Sequence, residues 1–113
     1  MAGPFVDAYV DMISKLFAGD LTGAGAHLTE DCVWSAPAGE VLGREAVVAA
    51  ADAGRAAGWA SHTVVESAEA GGVLALVAKN TYADGRRTHV AAAVEFDSEG
   101  LMRVLKGVGP GGA

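Results

Sequence analysis

The stretch from Leu28 to Val47 reads LTEDCVWSAPAGEVLGREAV and decides the fold. It joins an acidic segment at the end of a helical region to a short strand of the form Trp-x-x-Pro, which begins at Trp34. The triplet Gly43-Arg44-Glu45 follows and is typical of a helix start. This order of elements predicts one wall of a small-molecule cavity.

Length and composition predict one compact unit. The chain has 113 residues, of which 51% are hydrophobic, and this is enough to fill a single core. Much of that fraction is alanine, so backbones are expected to approach each other closely. We predict a single domain over residues 1–108 and a flexible, glycine-rich tail over residues 109–113.

The charge balance argues against polyanionic partners. Eight Lys and Arg stand against fourteen Asp and Glu, a formal net charge of −6 that repels phosphate backbones and anionic lipid surfaces. We therefore expect no nucleic-acid partner and no membrane partner. No apolar run reaches the roughly 18 residues of a membrane span, and the N-terminus lacks a signal-peptide pattern. These features predict a cytoplasmic protein.

The single cysteine, Cys32, has no second cysteine with which to form an intramolecular disulfide or share a metal. We interpret it as a small buried apolar residue. No spacing of His, Asp, Glu and Cys in the chain resembles a metal site. We accordingly expect neither a metal nor an organic cofactor.

The first half of the chain has the pattern of three helices. Apolar residues recur at spacings of three and four from Pro4 to Ala18, and Gly19 suits a left-handed helix end. Asp20 or Thr22 can cap a shorter second helix that reaches about residue 27. A third helix is predicted over about residues 44–57.

The second half reads as antiparallel strands, and one turn sets a register. Strands over 73–82 and 86–96 flank Ala83-Asp84-Gly85, which suits a three-residue hairpin loop with glycine in the left-handed position. This closure pairs Asn80 with Thr88 and Ala78 with Val90. It places the following residues on one face of the sheet: Leu74, Leu76, Ala78, Asn80, Tyr82, Arg86, Thr88, Val90, Ala92 and Val94.

Two further strands frame this hairpin. A final strand over 101–108 is expected to place Met102 and Val104 inside and to set Glu95 opposite Arg103. A strand over 59–69 joins the hairpin through Ala70-Gly71-Gly72 in one of two registers. A three-residue closure points His62, Val64 and Glu66 to the side of Asn80, and a two-residue closure points Ser61, Thr63 and Val65 there.

The order of these elements resembles the SnoaL-like branch of the nuclear transport factor 2-like superfamily, which includes ketosteroid isomerases and polyketide cyclases. The resemblance rests on Gly19-Asp20, on the 31–37 and 43–47 segments and on the turn over 96–102, and it spans nearly the whole chain. It implies an α+β fold: a cone-shaped, curved, mainly antiparallel sheet with three N-terminal helices packed on its concave face.

The chain lacks two side chains that the resemblance would lead one to expect in a steroid isomerase. Isomerases of this superfamily carry a base carboxylate just before the proline of the short strand and an acid on a late strand, and the matching positions here are Ala36 and Ala92. A methyl group cannot accept a proton, so steroid-isomerase chemistry at the usual place is not expected. The tyrosine of the first helix would fall near Met12, with Tyr9 one turn earlier.

We therefore predict a largely apolar cavity for a small hydrophobic molecule. His62, in one of the two registers, and Glu40, in the loop after Pro37, are the candidate catalytic groups, and Asn80 or Tyr9 is the candidate hydrogen-bond donor. The alternatives are an exposed strand histidine, a solvated glutamate and, for Trp34, a core tryptophan. The predicted ligand-binding residues are Tyr9, Met12, Leu16, Trp34, Ala36, Leu76, Asn80, Tyr82, Val90, Ala92 and Val94.

The outer sheet face carries a small apolar centre ringed by charges, which favours a homodimer through that face. Its apolar residues are Val73, Ala75, Val77, Ala91 and Ala93. Two functions remain open at the level of sequence. One is a small-molecule-binding protein that acts as a cofactor-independent isomerase, cyclase or hydrolase. The other is a non-catalytic ligand-binding or dimerisation module of the same fold.

Overall fold

The computed structural model describes residues 3–36 and 39–108, with only the backbone described at positions 36 and 108. Pro37 and the expected tail over 109–113 therefore lie outside the described residues. The helices and strands, in chain order, are α1 (Pro4–Phe17), α2 (Leu21–Gly25), β1 (Leu28–Ala36), β2 (Gly39–Leu42), α3 (Arg44–Ala56), β3 (Trp59–Ala70), β4 (Val73–Tyr82), β5 (Arg87–Phe96) and β6 (Met102–Val108).

The strands form one curved, unclosed sheet in the order β2-β1-β6-β5-β4-β3. Every neighbouring pair is antiparallel except β1 and β6, which run parallel. Helix α1 packs against β3 and β4, and α3 packs against β1 and β2. The α+β cone predicted from the sequence is confirmed, and the short strand of the opening stretch is part of a two-strand hairpin, β1–β2.

Helix α1 buries one stripe of side chains at helical spacing: Val6, Tyr9, Met12 and Leu16. It ends at Gly19, whose φ of +83° is the left-handed conformation that glycine adopts without steric cost. Of the two predicted caps for α2, Asp20 is the one used, because its carboxylate accepts a hydrogen bond from the Gly23 N–H at 2.8 Å.

The β4–β5 hairpin has the predicted register. Asn80 pairs with Thr88 and Ala78 with Val90, so the assigned inner and outer faces are confirmed. The loop closes with the Gly85 N–H donating to the Tyr82 carbonyl at 2.9 Å and the Tyr82 N–H donating to the Arg86 carbonyl at 3.0 Å. Gly85 has a φ of +89°, as the three-residue loop requires.

Strand β3 combines the two registers that the sequence left open. Its turn is the two-residue Gly71-Gly72, so Ala70 pairs with Val73, but a β-bulge at Val65 shifts the pairing by one residue. Beyond that bulge His62 pairs with Asn80. A second irregularity at residue 60 leaves Trp59 opposite Tyr82. Both Trp59 and His62 consequently lie on the concave side.

The prediction that Val104 lies inside is wrong. Met102 is fully buried opposite Phe96, but a bulge at Arg103 makes Val104 pair with Glu95 on the outer face. Leu105 then takes the inner position opposite Val94. The extra residue reverses the alternation of side chains after Met102. Arg103 is consequently not opposite Glu95 as expected, although the predicted ion pair between them is present, with 3.3 Å between Oε1 and Nη2.

The core lies between the helices and the concave face of the sheet. Its largest fully buried side chains are Leu28, Cys32, Leu74, Val94 and Met102. Burial raises the pKa of the Cys32 thiol, which fits its predicted role as an apolar residue.

No helix in the described ranges is long and apolar enough to cross a membrane. Within the same ranges, no three His, Cys, Asp or Glu residues are grouped as a metal site requires.

The first turn of α1 is held by a carboxylate from the sheet. Glu69, near the end of β3, accepts hydrogen bonds from the Phe5 N–H at 3.3 Å and from the Val6 N–H at 3.1 Å. These N–H groups have no partner inside the helix, and a negative charge there interacts favourably with the helix dipole. The Phe5 ring also stacks on Phe96, with 4.2 Å between ring centroids.

We expect Glu69→Ala to lower the free energy of unfolding by about 1 kcal/mol, the usual cost of losing a helix cap. Urea unfolding followed by circular dichroism measures the change. Glu66→Ala is the matched control, because Glu66 is an exposed carboxylate on the same strand that pairs with Val77. Equal losses in the two variants would contradict the assigned role of Glu69.

Candidate functional site

A cavity of about 450 Å³ lies between the helices and the concave face. All three helices and five strands contribute to its walls, which are mainly apolar. The apolar lining includes Met12, Ile13, Leu16, Ala24, Leu28, Trp34, Val47, Val48, Ala51, Val90, Ala92, Val94 and Leu105. A mostly apolar cavity with a few polar groups at one place is the usual form of a small-molecule site.

Four of the residues that line this cavity form one chain of hydrogen bonds across α1, β3 and β4. The Tyr9 hydroxyl lies 2.8 Å from His62 Nε2, and His62 Nδ1 lies 2.6 Å from Asn80 Oδ1. Trp59 Nε1–H donates to the same Asn80 oxygen at 2.9 Å. All four residues line the cavity.

The two irregularities of β3 bring this chain together. Without the bulge at Val65, the two-residue turn would place Thr63 opposite Asn80. Without the one at residue 60, Trp59 and His62 would point to opposite faces, because side chains alternate along a strand. Trp59 is further held by Phe17, whose ring meets it edge to face with 4.9 Å between centroids.

Burial sets the charge state of the site. Tyr9 and Asn80 are only 7% and 6% exposed. Burial raises the pKa of Tyr9 and lowers the pKa of His62, and for His62 the hydrogen bond that the ring donates to Asn80 opposes the shift only in part. At neutral pH the site therefore holds a neutral phenol beside a neutral imidazole. A neutral imidazole can accept a proton, and a neutral phenol can donate a hydrogen bond to a developing oxyanion.

Most residues predicted for the site lie at the cavity. His62 lines it, together with Tyr9, Met12, Leu16, Trp34, Asn80, Tyr82, Val90, Ala92 and Val94. Leu76 is buried in the core but does not line the cavity. The side chain of Ala36 lies outside the described residues.

Glu40 is placed away from the cavity. It lies on β2 opposite Ser35, its side chain is exposed, and it is not part of the lining. Glu40 was expected in a loop at the cavity mouth, but it belongs to β2, the strand at one edge of the sheet. The structure therefore does not bring Glu40 together with the other predicted site residues.

Among the lining residues that the sequence analysis did not predict are Trp59 and Arg86. The Arg86 guanidinium lies over the Tyr82 ring, 4.2 Å from its centroid, at the hairpin end of the cavity. The predicted hairpin already pairs Arg86 with Tyr82 on the inner face of the sheet, so its place at the cavity could have been predicted. Trp59 left no such signal, because strict alternation puts it on the face opposite His62.

Residues 6–102 of the chain match the SnoaL-like domain family. The chain belongs to the SnoaL-like family. No curated protein matches the sequence significantly. Family membership fixes the architecture around the cavity, but members of one fold differ widely in chemistry.

Solved structures similar to this SnoaL-like chain confirm the fold. A candidate polyketide cyclase from Sinorhizobium meliloti has a TM-score of 0.79 at 16% identity, with 95% of each chain covered. A candidate isomerase of the SnoaL-like family from Agrobacterium tumefaciens has a TM-score of 0.77 at 13% identity, covering 92% of this chain and 95% of the other. A de novo designed protein with a curved β-sheet reaches 0.81 at 16% identity, covering 98% and 90%. At these identities the likeness concerns the fold alone.

The lowered pKa of His62 predicts how the stability of the SnoaL-like chain depends on pH. The unfolded chain binds the imidazole proton more tightly than the folded one, so stability rises with pH between the two pKa values. The free energy of unfolding should be at its full value above the ordinary histidine pKa of about 6.5 and should fall as the pH decreases below it.

His62→Gln should remove most of this pH dependence in urea unfolding measured at a series of pH values. His89→Gln is the matched control, because His89 is exposed on the outer face opposite Lys79. A slope that His62→Gln leaves unchanged would show that another group causes it.

Proposed function

We propose that this SnoaL-like protein binds a small hydrophobic carbonyl compound in its cavity and moves a proton on it, as an isomerase or cyclase does. The observation that carries the proposal is the buried contact between the Tyr9 hydroxyl and His62 Nε2, 2.8 Å apart at the polar end of an apolar cavity. The cavity volume of about 450 Å³ suits a molecule of that class. The chemistry uses the protein's own side chains and no cofactor.

The proton transfer has a base and a donor in contact with each other. The Tyr9 hydroxyl turns from His62 to the carbonyl oxygen of the ligand and leaves the Nε2 lone pair free. Nε2 then takes a proton from the carbon beside the carbonyl, and the electron pair of that C–H bond moves onto the oxygen as an enolate. Tyr9 stabilises the enolate by its hydrogen bond. The imidazolium returns the proton at another carbon. In a cyclisation the enolate carbon instead attacks a second carbonyl of the same molecule and closes a ring, and the imidazolium gives its proton to the alkoxide that forms there.

The position of the base differs from that expected for steroid isomerases of this superfamily. Ala92 presents a methyl group to the cavity at the position where the resemblance implies an acid. A histidine on β3 supplies the basic nitrogen in our proposal, and its lowered pKa keeps that nitrogen unprotonated at neutral pH. The similar structures described as a candidate polyketide cyclase and a candidate isomerase support this class of reaction by analogy of fold.

The test of catalysis is hydrogen–deuterium exchange beside the carbonyl, followed by NMR in D₂O for a panel of hydrophobic ketones. The wild-type protein should accelerate exchange for part of the panel. His62→Gln should reduce the rate by about 10²- to 10⁴-fold, the usual contribution of a general base. His89→Gln serves as the control. Exchange that persists in His62→Gln would remove His62 from the mechanism.

Ligand binding is tested separately from catalysis. The compounds that exchange should also raise the thermal transition of His62→Gln, because the apolar walls remain. Ala92→Phe fills the cavity and should abolish this stabilisation, whereas Ala53→Phe on the exposed side of α3 should not. Stabilisation that survives in Ala92→Phe would place the ligand elsewhere.

We also propose that two copies of the chain associate through the outer sheet face. The centre of that face carries small apolar side chains, among them Val73, which is 36% exposed, and Ala75, which is exposed. Lys79 and His89 lie opposite each other at one end of it, and Glu95 lies at the other end with Arg103. Burial of the apolar centre with the charges left at the rim is the usual anatomy of such an interface.

Sedimentation equilibrium tests this association. The wild-type chain should sediment as a dimer, and the double substitution Ala75→Lys, Val77→Lys should yield a folded monomer because like charges then meet at the centre. Ala53→Lys on α3 should leave the dimer intact. A monomeric wild-type chain at every concentration tested would end the proposal.

A further inference from the structure

The indole of Trp59 determines which way the Asn80 amide faces. Trp Nε1–H is a donor only, and it points at Asn80 Oδ1 from 2.9 Å. An amide nitrogen at that position would face the indole hydrogen with hydrogens of its own. The contact therefore fixes the carbonyl oxygen of Asn80, and not its amide nitrogen, toward Trp59.

The orientation of Asn80 in turn determines the tautomer of His62. The same oxygen lies 2.6 Å from His62 Nδ1, and since a carbonyl oxygen can only accept, Nδ1 carries the hydrogen. In the neutral ring Nε2 is then bare, and the Tyr9 hydroxyl, 2.8 Å away, donates to it. The indole N–H of Trp59 thereby determines the direction of each hydrogen bond that connects Trp59, through Asn80 and His62, to Tyr9.

We propose that Trp59 is the positioning residue of the site: through Asn80 it holds His62 in the Nδ1–H tautomer, with Nε2 kept as the basic nitrogen toward Tyr9. This inference deepens the proposed proton transfer, since it states which nitrogen is the base and what keeps it bare. Trp59 acts at one remove, because its hydrogen bond reaches His62 only through the Asn80 amide.

Loss of the indole N–H frees the amide to turn. The Asn80 amide nitrogen can then donate to Nδ1, and the ring hydrogen moves to Nε2, where it faces the Tyr9 oxygen. The Nε2–H form is also the tautomer that predominates in free histidine. In that arrangement the nitrogen facing the cavity holds a hydrogen and is no longer a base.

The surroundings of Trp59 favour a fixed indole. Phe17 packs edge to face against it, and Gly54 of α3 lies beside it, where an added Cβ would stand 3.8 Å from Trp59 Cε3. His62 itself meets the indole at a tilt of 73°, with 5.5 Å between centroids. Trp59, which sets the direction of the hydrogen bonds, is therefore packed between residues of helices α1 and α3.

The experiment uses protein labelled with ¹⁵N-histidine and long-range ¹H–¹⁵N correlation spectra, which distinguish the two neutral tautomers. Spectra are recorded well above the ordinary histidine pKa of about 6.5, and the His62 signals are assigned by their loss in His62→Gln. The wild-type protein should show the Nδ1–H form. Trp59→Phe should convert His62 wholly or partly to the Nε2–H form.

Two further variants make the result specific. Asn80→Asp in the Trp59→Phe background should restore the Nδ1–H form, because a carboxylate only accepts hydrogen bonds. Trp34→Phe is the matched control, since Trp34 lines the same cavity without a hydrogen bond to Asn80 and should leave the tautomer unchanged.

An Nε2–H signal in the wild-type protein would overturn the inference, and so would a Trp59→Phe spectrum identical to the wild type. If no carbonyl compound exchanges but the tautomer behaves as stated, the proposed function fails and the assignment stands.

Discussion

The structure depends on the need to pair one buried amide. Asn80 is the polar side chain buried in the described core, and an amide left without partners in an apolar interior costs about 1–3 kcal/mol. Its partners, Trp59 and His62, are both on β3, and a regular strand cannot present the two on one face. The irregularities at residues 60 and 65 solve this problem. They also bend the sheet, so the same local defects that pair the amide help to open the cone around it.

Strand β3 holds helix α1 at two polar points. Near one end of the strand, Glu69 accepts hydrogen bonds from the first N–H groups of the helix. Near the other end, His62 accepts a hydrogen bond from the Tyr9 hydroxyl. Apolar packing along the helix between these points is non-directional and by itself permits sliding and rotation. The two polar contacts oppose both movements of helix α1. Strand β3, which carries the His62 imidazole, therefore also determines the position of the helix that lines the cavity.

The sequence predicted most of the fold but only part of the site, and the difference has a physical origin. Periodicity and turn chemistry determine where strands lie and which hairpin register is consistent, and the Asn80–Thr88 pairing followed from one glycine-containing loop. Bulges leave no comparable pattern, because an inserted residue such as Arg103 or Val65 is not distinguished by its type. Each bulge reverses the faces that follow it, which is why Val104 was placed wrongly and Trp59 was missed. Glu40 was expected in a loop but lies on the short strand β2, where it pairs with Ser35, and so short a strand carries too few residues for a clear alternating pattern.

The parallel pairing of β1 with β6 has a consequence for how the chain folds. Strand β6 lies between β1 and β5, and the Met102 N–H donates to the His27 carbonyl at 2.8 Å, although the two residues are far apart along the chain. During synthesis β1 is made early and must wait for β6 before it can join the rest of the sheet. Non-local closures of this kind are slow, and they leave apolar strands exposed in the meantime. Within the described sheet, β6 is thus the strand through which the β1–β2 hairpin is hydrogen-bonded to the β3–β4–β5 meander, and the sheet is complete once β6 has been made.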